Sequence, residues 1–325
     1  MLDKWYNNRM NKISAFDLTE CFTTWDKNRD KFIYDIRKIY NSNRLTLVLG
    51  SGVSKAAGLP LWPDLVKALY NDLVLNKVVM DLPDWESLKL KTDELILQAR
   101  YIKSGFGSPE AFFEAIERAL YSKEVFMKNP LISSIGRLCV PTRFNYIKSV
   151  ISYNFDDLLE RKLNKYNVEH KSIFDSNVEF LESSLPIYHV HGYLPQHIKD
   201  FDNMNIVFSD DDYNRQSSSE MFSWSNIVQL TSFKDSGSFF VGTSFNDANL
   251  RRILEIVQLN FQGVVNYTVQ KHSYDKNIHN QDIKSLLYLN DYLKESVLNE
   301  LGVKVIWVDE YDEYYSIIDS IKGKS

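Results

Sequence analysis

The feature that most constrains the fold is a short apolar run followed at once by a glycine-rich turn. Residues 45–49 read LTLVL, a pattern typical of a strand that is buried on both faces. Gly50 and Gly52 come next, with Ser51 and Ser54 beside them. A helix that starts after such a turn offers backbone N–H groups to an anion, and glycine lets a ligand approach closely. The stretch therefore predicts a strand–turn–helix unit suited to phosphate.

The glycine spacing alone does not match either common nucleotide motif. The dinucleotide fingerprint places its third glycine three residues after the second, whereas Gly58 lies six residues after Gly52. No Gly-Lys-Ser/Thr ending follows the turn, which argues against a P-loop for ATP. An ordinary tight turn between a strand and a helix is the alternative that remains open at this point.

Composition excludes several classes of protein. The net charge of −5 argues against a broadly basic nucleic-acid surface. No apolar run approaches the roughly 20 residues that a membrane helix needs, and the first residues lack the apolar segment of a secretion signal. The two cysteines, Cys21 and Cys139, form no C-x-x-C pair and therefore no zinc ribbon. We expect a cytoplasmic protein with no membrane segment and no metal.

Apolar strand-like runs alternate with helical segments along the chain. After 45–49, the expected strands are 149–153, 186–191, 206–208, 239–241, 264–269 and 303–308. This alternation predicts an α/β fold, a Rossmann-like doubly wound parallel sheet whose ligands lie outside the carboxyl ends of the strands.

Two segments stand apart from this alternation. Residues 1–43 have helical periodicity and are predicted to form an N-terminal helical arm before a single domain at 44–325. Residues at about 61–145 also have helical periodicity, so a helical insertion is expected between the first two strands of the domain.

Polar residues follow four of the predicted strands. They are Gly50-Ser51-Gly52, Asn154-Phe155-Asp156, His191-Gly192 and Gly242-Thr243-Ser244. Because parallel strands end at the same edge of a sheet, these segments are expected to lie together. Asn and Asp at a helix start are also common caps, so Asn154 and Asp156 have a purely structural alternative.

Together these segments resemble the sirtuin family. Gly50-Ser51-Gly52-Val53-Ser54 with Gly58-Leu59-Pro60 is similar to the Gly-Ala-Gly-x-Ser…Gly-Ile-Pro segment, and Ser152–Asp156 is similar to Thr-Gln-Asn-x-Asp. His191-Gly192 resembles the motif that carries the catalytic histidine, and Gly242-Thr243-Ser244 resembles the segment that lines the NAD ribose. The four motifs occur in family order between residues 45 and about 250.

The departures from that pattern point to one branch of the family. Sirtuin deacylases carry a zinc module with paired C-x-x-C motifs, which this chain lacks, and Leu61-Trp62-Pro63-Asp64 stands in place of Pro-Asp-Phe-Arg. The stretch GTSFNDANLRRIL is similar to bacterial sirtuin-like proteins of antiphage defence. That resemblance implies NAD hydrolysis in abortive infection. It also implies a homo-oligomer and a partner, in some cases a HerA-type ATPase that translocates DNA.

The resemblance also implies roles for individual residues. Asn154 would order a ribose hydroxyl and a water molecule, and Asp156 would hold the ribose or stabilise positive charge. His191 would accept a proton, because the usual pKa of histidine lies near neutrality. His189 lies two residues before His191, so the two side chains would lie on the same face of the predicted strand. In the alternative interpretation, one of them is a core histidine.

The same resemblance names the residues that would bind NAD as a substrate. They are Gly50, Ser51, Gly52 and Ser54 at the first turn and Gly242, Thr243 and Ser244 at the later one. The first turn would hold the pyrophosphate, and Thr243 and Ser244 would bond the adenosine-side ribose. Two other functions stay open: an NAD-dependent protein deacylase, and a non-catalytic sensor of NAD or ADP-ribose that signals to a partner.

Overall fold

The computed structural model describes most of the chain, and every structural statement below concerns that part. The described residues are 18–77, 95–176, 183–197, 206–209, 211–212, 223–235, 237–261, 263–274 and 280–323. The predicted segment at 1–17, Asp210 and His279 lie outside them.

The strands form one parallel sheet with the order β3-β4-β2-β1-β5-β6-β7. Their bounds are β1 Leu45–Leu49, β2 Ser149–Ser152, β3 His170–Ile173, β4 Leu185–His189, β5 Gly237–Val241, β6 Asn266–Lys271 and β7 Val303–Val308. Each neighbouring pair is parallel. The predicted doubly wound Rossmann-like sheet is confirmed.

Helices cover both faces of the sheet. Their bounds are α1 Leu18–Asn41, α2 Ser51–Ala56, α3 Trp62–Lys77, α4 Leu95–Gly105, α5 Pro109–Leu120, α6 Pro130–Cys139, α7 Leu158–Lys165, α8 Trp224–Asp235, α9 Ala248–Asn260, α10 Gln281–Glu300 and α11 Asp312–Lys322. Helices α2 to α6 lie between β1 and β2, which confirms the helical insertion. None of the described helices has both the length and the apolar composition to cross a bilayer.

Side chains alternate between two cores along the central strand β1. Leu47 and Leu49 belong to the core shared with the insertion helices, whereas Val48 belongs to the core shared with α9 and β7. Every β1 residue is buried, because the sheet is covered on both faces. This explains why residues 45–49 are an almost continuous apolar run.

Helix α1 packs on the same core as the sheet. Phe32, Ile36 and Tyr40 are buried in the cluster that contains Leu45. Arg29 pairs with Glu313 of α11 at 2.7 Å, so the helix is also tied to the end of the chain. The predicted division of the chain into 1–43 and 44–325 stays a prediction.

The observed strands differ from the predicted strands in two places. Residues 206–208 do not form a strand. They are apolar because they are buried against the insertion, where the ring of Phe208 lies 5.2 Å from that of Phe112. Strand β3 was not predicted. Its sequence, HKSI, has one buried side chain, because β3 is the edge strand and pairs only with β4.

We predict that Gly50→Ala destabilises the fold by about 3 kcal/mol, the upper range for overpacking. A Cβ atom at Gly50 would lie 2.5 Å from the carbonyl oxygen of Gly242, and this oxygen belongs to a backbone that cannot move aside easily. The backbone of Gly50 is extended, so the clash is the only penalty. Chemical denaturation measures the change.

Gly107→Ala is the matched control for this prediction. Gly107 has a φ of 76° and nothing within 4 Å of an added Cβ atom, so only the left-handed backbone penalty of about 1 kcal/mol applies. Equal stability of the Gly50→Ala and Gly107→Ala variants would show that the two turns do not pack as described.

Candidate active site

Four strand ends meet at one edge of the sheet. The N–H of Gly50 donates to the carbonyl of Val241 at 3.0 Å, which joins the ends of β1 and β5. On the other side, the N–H of Tyr153 donates to the carbonyl of Leu49 at 3.0 Å. The four polar segments that follow these strands and β4 are therefore neighbours, and the crevice between β1 and β5 is the switch point of the sheet, where ligands bind in this fold class.

The two glycine turns contact each other directly. The N–H of Gly52 donates to the carbonyl of Gly242 at 2.9 Å. A Cβ atom at Gly52 would lie 2.9 Å from the Cα atom of Gly242. Gly242 has a φ of 68°, a conformation that glycine adopts without strain. Two N–H groups of the first turn are thus used between the turns, and pyrophosphate binding by Gly50, Ser51 and Gly52 stays a prediction.

Asn154 is held by hydrogen bonds through both its side chain and its backbone. Its Nδ2 donates to the carbonyl of Gly50 at 3.0 Å. Its carbonyl oxygen accepts from the hydroxyl of Ser152 and faces Nδ1 of His189, both at 3.2 Å. The residue is half-buried and fixed beside the first glycine turn.

Asp156 is buried, and its two oxygens have different partners. Oδ2 accepts from the hydroxyl of Ser54 at 2.5 Å, and Oδ1 accepts from the N–H of Leu158 at 3.1 Å. Burial raises the pKa of Asp156 to about 6, although both hydrogen bonds oppose that shift. The carboxyl therefore joins α2 to the start of α7. This geometry favours the structural alternative for Asp156, and its contact with ribose stays a prediction.

His189 forms a buried pair with Glu160 behind Asn154. Nε2 of His189 lies 2.7 Å from Oε1 of Glu160, and Nδ1 faces the carbonyl of Asn154. Burial alone would raise the pKa of Glu160, but the charge of His189 and the hydrogen bonds to the carboxylate outweigh burial and lower it. His189 is thus the core histidine of the two.

His191 lies beyond the end of β4 and points to a different set of neighbours. Nε2 of His191 is 3.4 Å from Oδ2 of Asp247, and its ring meets the edge of the Tyr153 ring at 4.9 Å. The expectation that His189 and His191 share one strand face is wrong, because β4 ends at His189. Burial lowers the pKa of His191, and Asp247 partly opposes this. A lowered pKa favours the neutral imidazole, which is the form that accepts a proton in general base catalysis.

Asp247 is a site residue that the sequence analysis did not select. Its Oδ1 caps α9 by accepting from the N–H of Leu250 at 2.6 Å. Its Oδ2 is buried and has no hydrogen-bond partner among the described residues. An aspartate directly before a helix is a capping signal, but the pairing with His191 joins residues far apart in the sequence.

Thr243 supplies a second buried oxygen on the same segment. Its Oγ1 has no hydrogen-bond partner in the described part of the chain. Its carbonyl accepts from Nε2 of Gln270 at 3.0 Å. Ser244 is exposed and its hydroxyl accepts from the N–H of Asn246 at 3.3 Å. A buried hydroxyl without a partner among the described residues fits a ligand group in the crevice.

A small cavity lies next to Asn154. Its polar lining comes from Ser152, Asn154, Asp156, Glu160 and His189. Its volume of about 10 Å³ is close to that of one water molecule, and a dinucleotide does not fit. A dinucleotide would therefore lie along the open edge of the sheet. Among the residues described, no group of three or more His, Cys, Asp or Glu side chains is arranged to hold a metal.

Comparison with known proteins gives a match to one family over part of the chain. Residues 148–306 match the family model described as the SIR2-like domain. This confirms the resemblance to the sirtuin family and supports a sirtuin-like, NAD-dependent function in broad terms. The matched segment contains Asn154, His191 and Gly242 and starts after the first glycine turn.

Other comparisons are more distant. A solved structure reported for the mechanism and regulation of Sir2 enzymes aligns with 89% of this chain and 96% of its own chain. The two sequences are 14% identical, and the TM-score is 0.40. No curated protein matches the sequence.

We predict that Asp156→Asn gains stability relative to the wild type as the pH rises. Wild-type Asp156 has a folded pKa of about 6, above its ordinary value of 3.8. The unfolded chain therefore loses this proton first, and the wild type loses stability between about pH 4 and pH 6. Asparagine does not titrate, so the difference in unfolding free energy should grow by up to about 3 kcal/mol over that range.

Denaturant titrations at several pH values measure this difference. Asp64→Asn, at an exposed carboxyl, is the matched control and should show no such growth. If the Asp156→Asn difference is constant from pH 4 to pH 7, the carboxyl does not have the buried environment described above.

Proposed function

We propose that this chain is an NAD glycohydrolase that converts NAD to nicotinamide and ADP-ribose. The observation that carries the proposal is a buried His191, with its pKa lowered by burial, at the same sheet edge as Asn154 and the crevice of a SIR2-like domain. A base at this edge is a chemical requirement for hydrolysis, whereas binding alone does not need one.

The geometry of the two turns supports the proposed binding roles. The oxygens of Thr243 and Asp247 are buried without hydrogen-bond partners in the described residues, which fits hydroxyl groups of a bound ribose. Gly50, Gly52 and Gly242 leave no side chain in the crevice, so the backbone stays accessible to a diphosphate. Ser51 and Ser244 are exposed at the same two turns and would bond the outer part of the ligand.

The chemical roles are divided between two residues. The bond between ribose and nicotinamide breaks with positive charge developing on the ribose, and water adds to that centre. Neutral His191 would take the proton from the water or from a ribose hydroxyl, and Asp247 would stabilise the resulting imidazolium. Asn154, fixed by Gly50 and His189, would orient the ribose and the water.

The cellular role is a proposal from the resemblance to antiphage sirtuin-like proteins. NAD depletion would act as abortive infection in the cytoplasm of an infected cell. The active form would be a homo-oligomer, acting alone or with a HerA-type ATPase or another defence partner. Such assembly would restrain a reaction that is harmful to the host when it is unregulated.

The test is a product assay with NAD, with and without an acylated peptide. Peptide-independent formation of nicotinamide and ADP-ribose is expected. We predict that Asn154→Ala and His191→Ala each lower the rate at least about 100-fold, the range for loss of a general base or a positioning group. His197→Ala and Asn260→Ala change the same residue types at exposed positions and should keep wild-type rates.

The other outcomes distinguish the alternatives. Acyl-ADP-ribose formed only with peptide would assign the chain as a deacylase. Tight NAD binding without turnover, in the presence of candidate partners, would assign it as a sensor. If neither Asn154→Ala nor His191→Ala lowers NAD consumption, the catalytic roles proposed here are wrong.

A further inference from the structure

Helix α10 has an apolar stripe on its outward face. Ile283, Leu286, Leu293 and Val297 expose 48%, 66%, 54% and 52% of their surface, respectively. Together with exposed Asn290, these residues are spaced alternately by three and four positions. On a helix this spacing places all five side chains on one face, and none of them carries a charge.

The opposite face of the same helix is already packed in the domain. Asp291 pairs with Nδ1 of His272 at 2.9 Å, and Glu295 accepts from the indole N–H groups of Trp25 and Trp307. Leu298 is buried in the core beside β7. These contacts fix the rotation of α10, so the stripe is presented outward by the fold itself.

The stripe has the sequence of a coiled-coil seam. Ile283, Asn290 and Val297 occupy successive a positions, while Leu286 and Leu293 occupy the d positions between them. β-branched residues at a with leucine at d favour pairing of two helices, and one asparagine at a sets their register. A surface that only contacts water has no physical need for this pattern.

We infer that a second copy of this chain covers the stripe, with α10 paired in parallel with α10 of the partner about a two-fold axis that runs between the two helices. In this pair each residue of the stripe meets its own copy, so Asn290 meets Asn290 and leucine meets leucine. A patch that complements itself is the requirement for a two-fold interface.

Asn290 is compatible with burial in such an interface. Its Nδ2 already donates to the hydroxyl of Ser273 at 3.1 Å. The amide keeps a second hydrogen and a carbonyl oxygen, which can bond the same groups of the partner's amide. The asparagine pair therefore disfavours a shifted register, in which it would face leucine.

The area of the stripe indicates the strength of the contact. The four apolar side chains and the leucines that flank them would bury roughly 1,000 Å² over both copies, the lower end for a specific interface. We therefore expect a dimer with a dissociation constant in the range of about 1–100 μM and not an obligate one. This inference does not depend on the proposed NAD hydrolysis.

Sedimentation velocity of the full chain over a concentration series tests the inference. The wild type should shift from its 38.0-kDa monomer mass towards twice that mass as the concentration rises. Leu286→Glu with Leu293→Glu should weaken the dimer at least tenfold, because two like charges would face each other across the axis. Leu259→Glu changes an exposed leucine on α9 and should leave the dimer intact.

Cysteine cross-linking locates the axis. Under mild oxidation, Asn290→Cys should form a disulfide-linked dimer, whereas Ser296→Cys, exposed on the same helix but off the stripe, should not. Oxidation of the wild type measures the background of cross-linking through Cys21 and Cys139. Thermal unfolding confirms that each variant folds. A wild type that stays monomeric, an assembly that the glutamates do not weaken, or equal linkage at 290 and 296 would overturn the inference.

Discussion

The structure depends above all on the contact between its two glycine turns. The turn after β1 and the turn after β5 hydrogen-bond to each other, and their Cβ-free backbones approach more closely than any side chain would allow. The contact closes the bottom of the crevice at the switch point of the sheet. It also positions Asn154, which bonds the carbonyl of Gly50, and Thr243, whose Oγ1 would lie 2.8 Å from a Cβ atom at Gly50.

A buried polar cluster supports this contact from the side of the insertion. Asp156 binds Ser54 of α2, while His189 bridges Glu160 of α7 and the backbone of Asn154. Buried charges are rarely a net source of stability, because removing them from water costs about as much as their attraction gains. In this protein the cluster holds α2, α7 and the end of β2 in fixed positions relative to each other, next to the proposed NAD site.

The sequence was sufficient for the central strands and for the motifs at their ends, because parallel strands buried on both faces are apolar throughout. The prediction from sequence failed where a buried apolar segment is not a strand and where a strand is not apolar. Edge strand β3 is polar and was missed, whereas Ile206 to Phe208 is apolar because it packs against the insertion helices as an irregular segment. Asp247 and Glu160 were also missed. Asp247 contacts His191 and Glu160 contacts His189, and these contacts join residues far apart in the sequence, which a local sequence pattern does not indicate.

A structure of the His191→Ala variant determined with NAD bound tests the central claim most directly. We expect the dinucleotide to lie along the open edge, with its diphosphate against the outer side of the glycine turns at Gly50 and Gly242 and a ribose hydroxyl bonded to Thr243 Oγ1. We also expect the nicotinamide ribose beside Asn154. NAD bound away from this edge, or no NAD at the edge at saturating concentration, would contradict this arrangement.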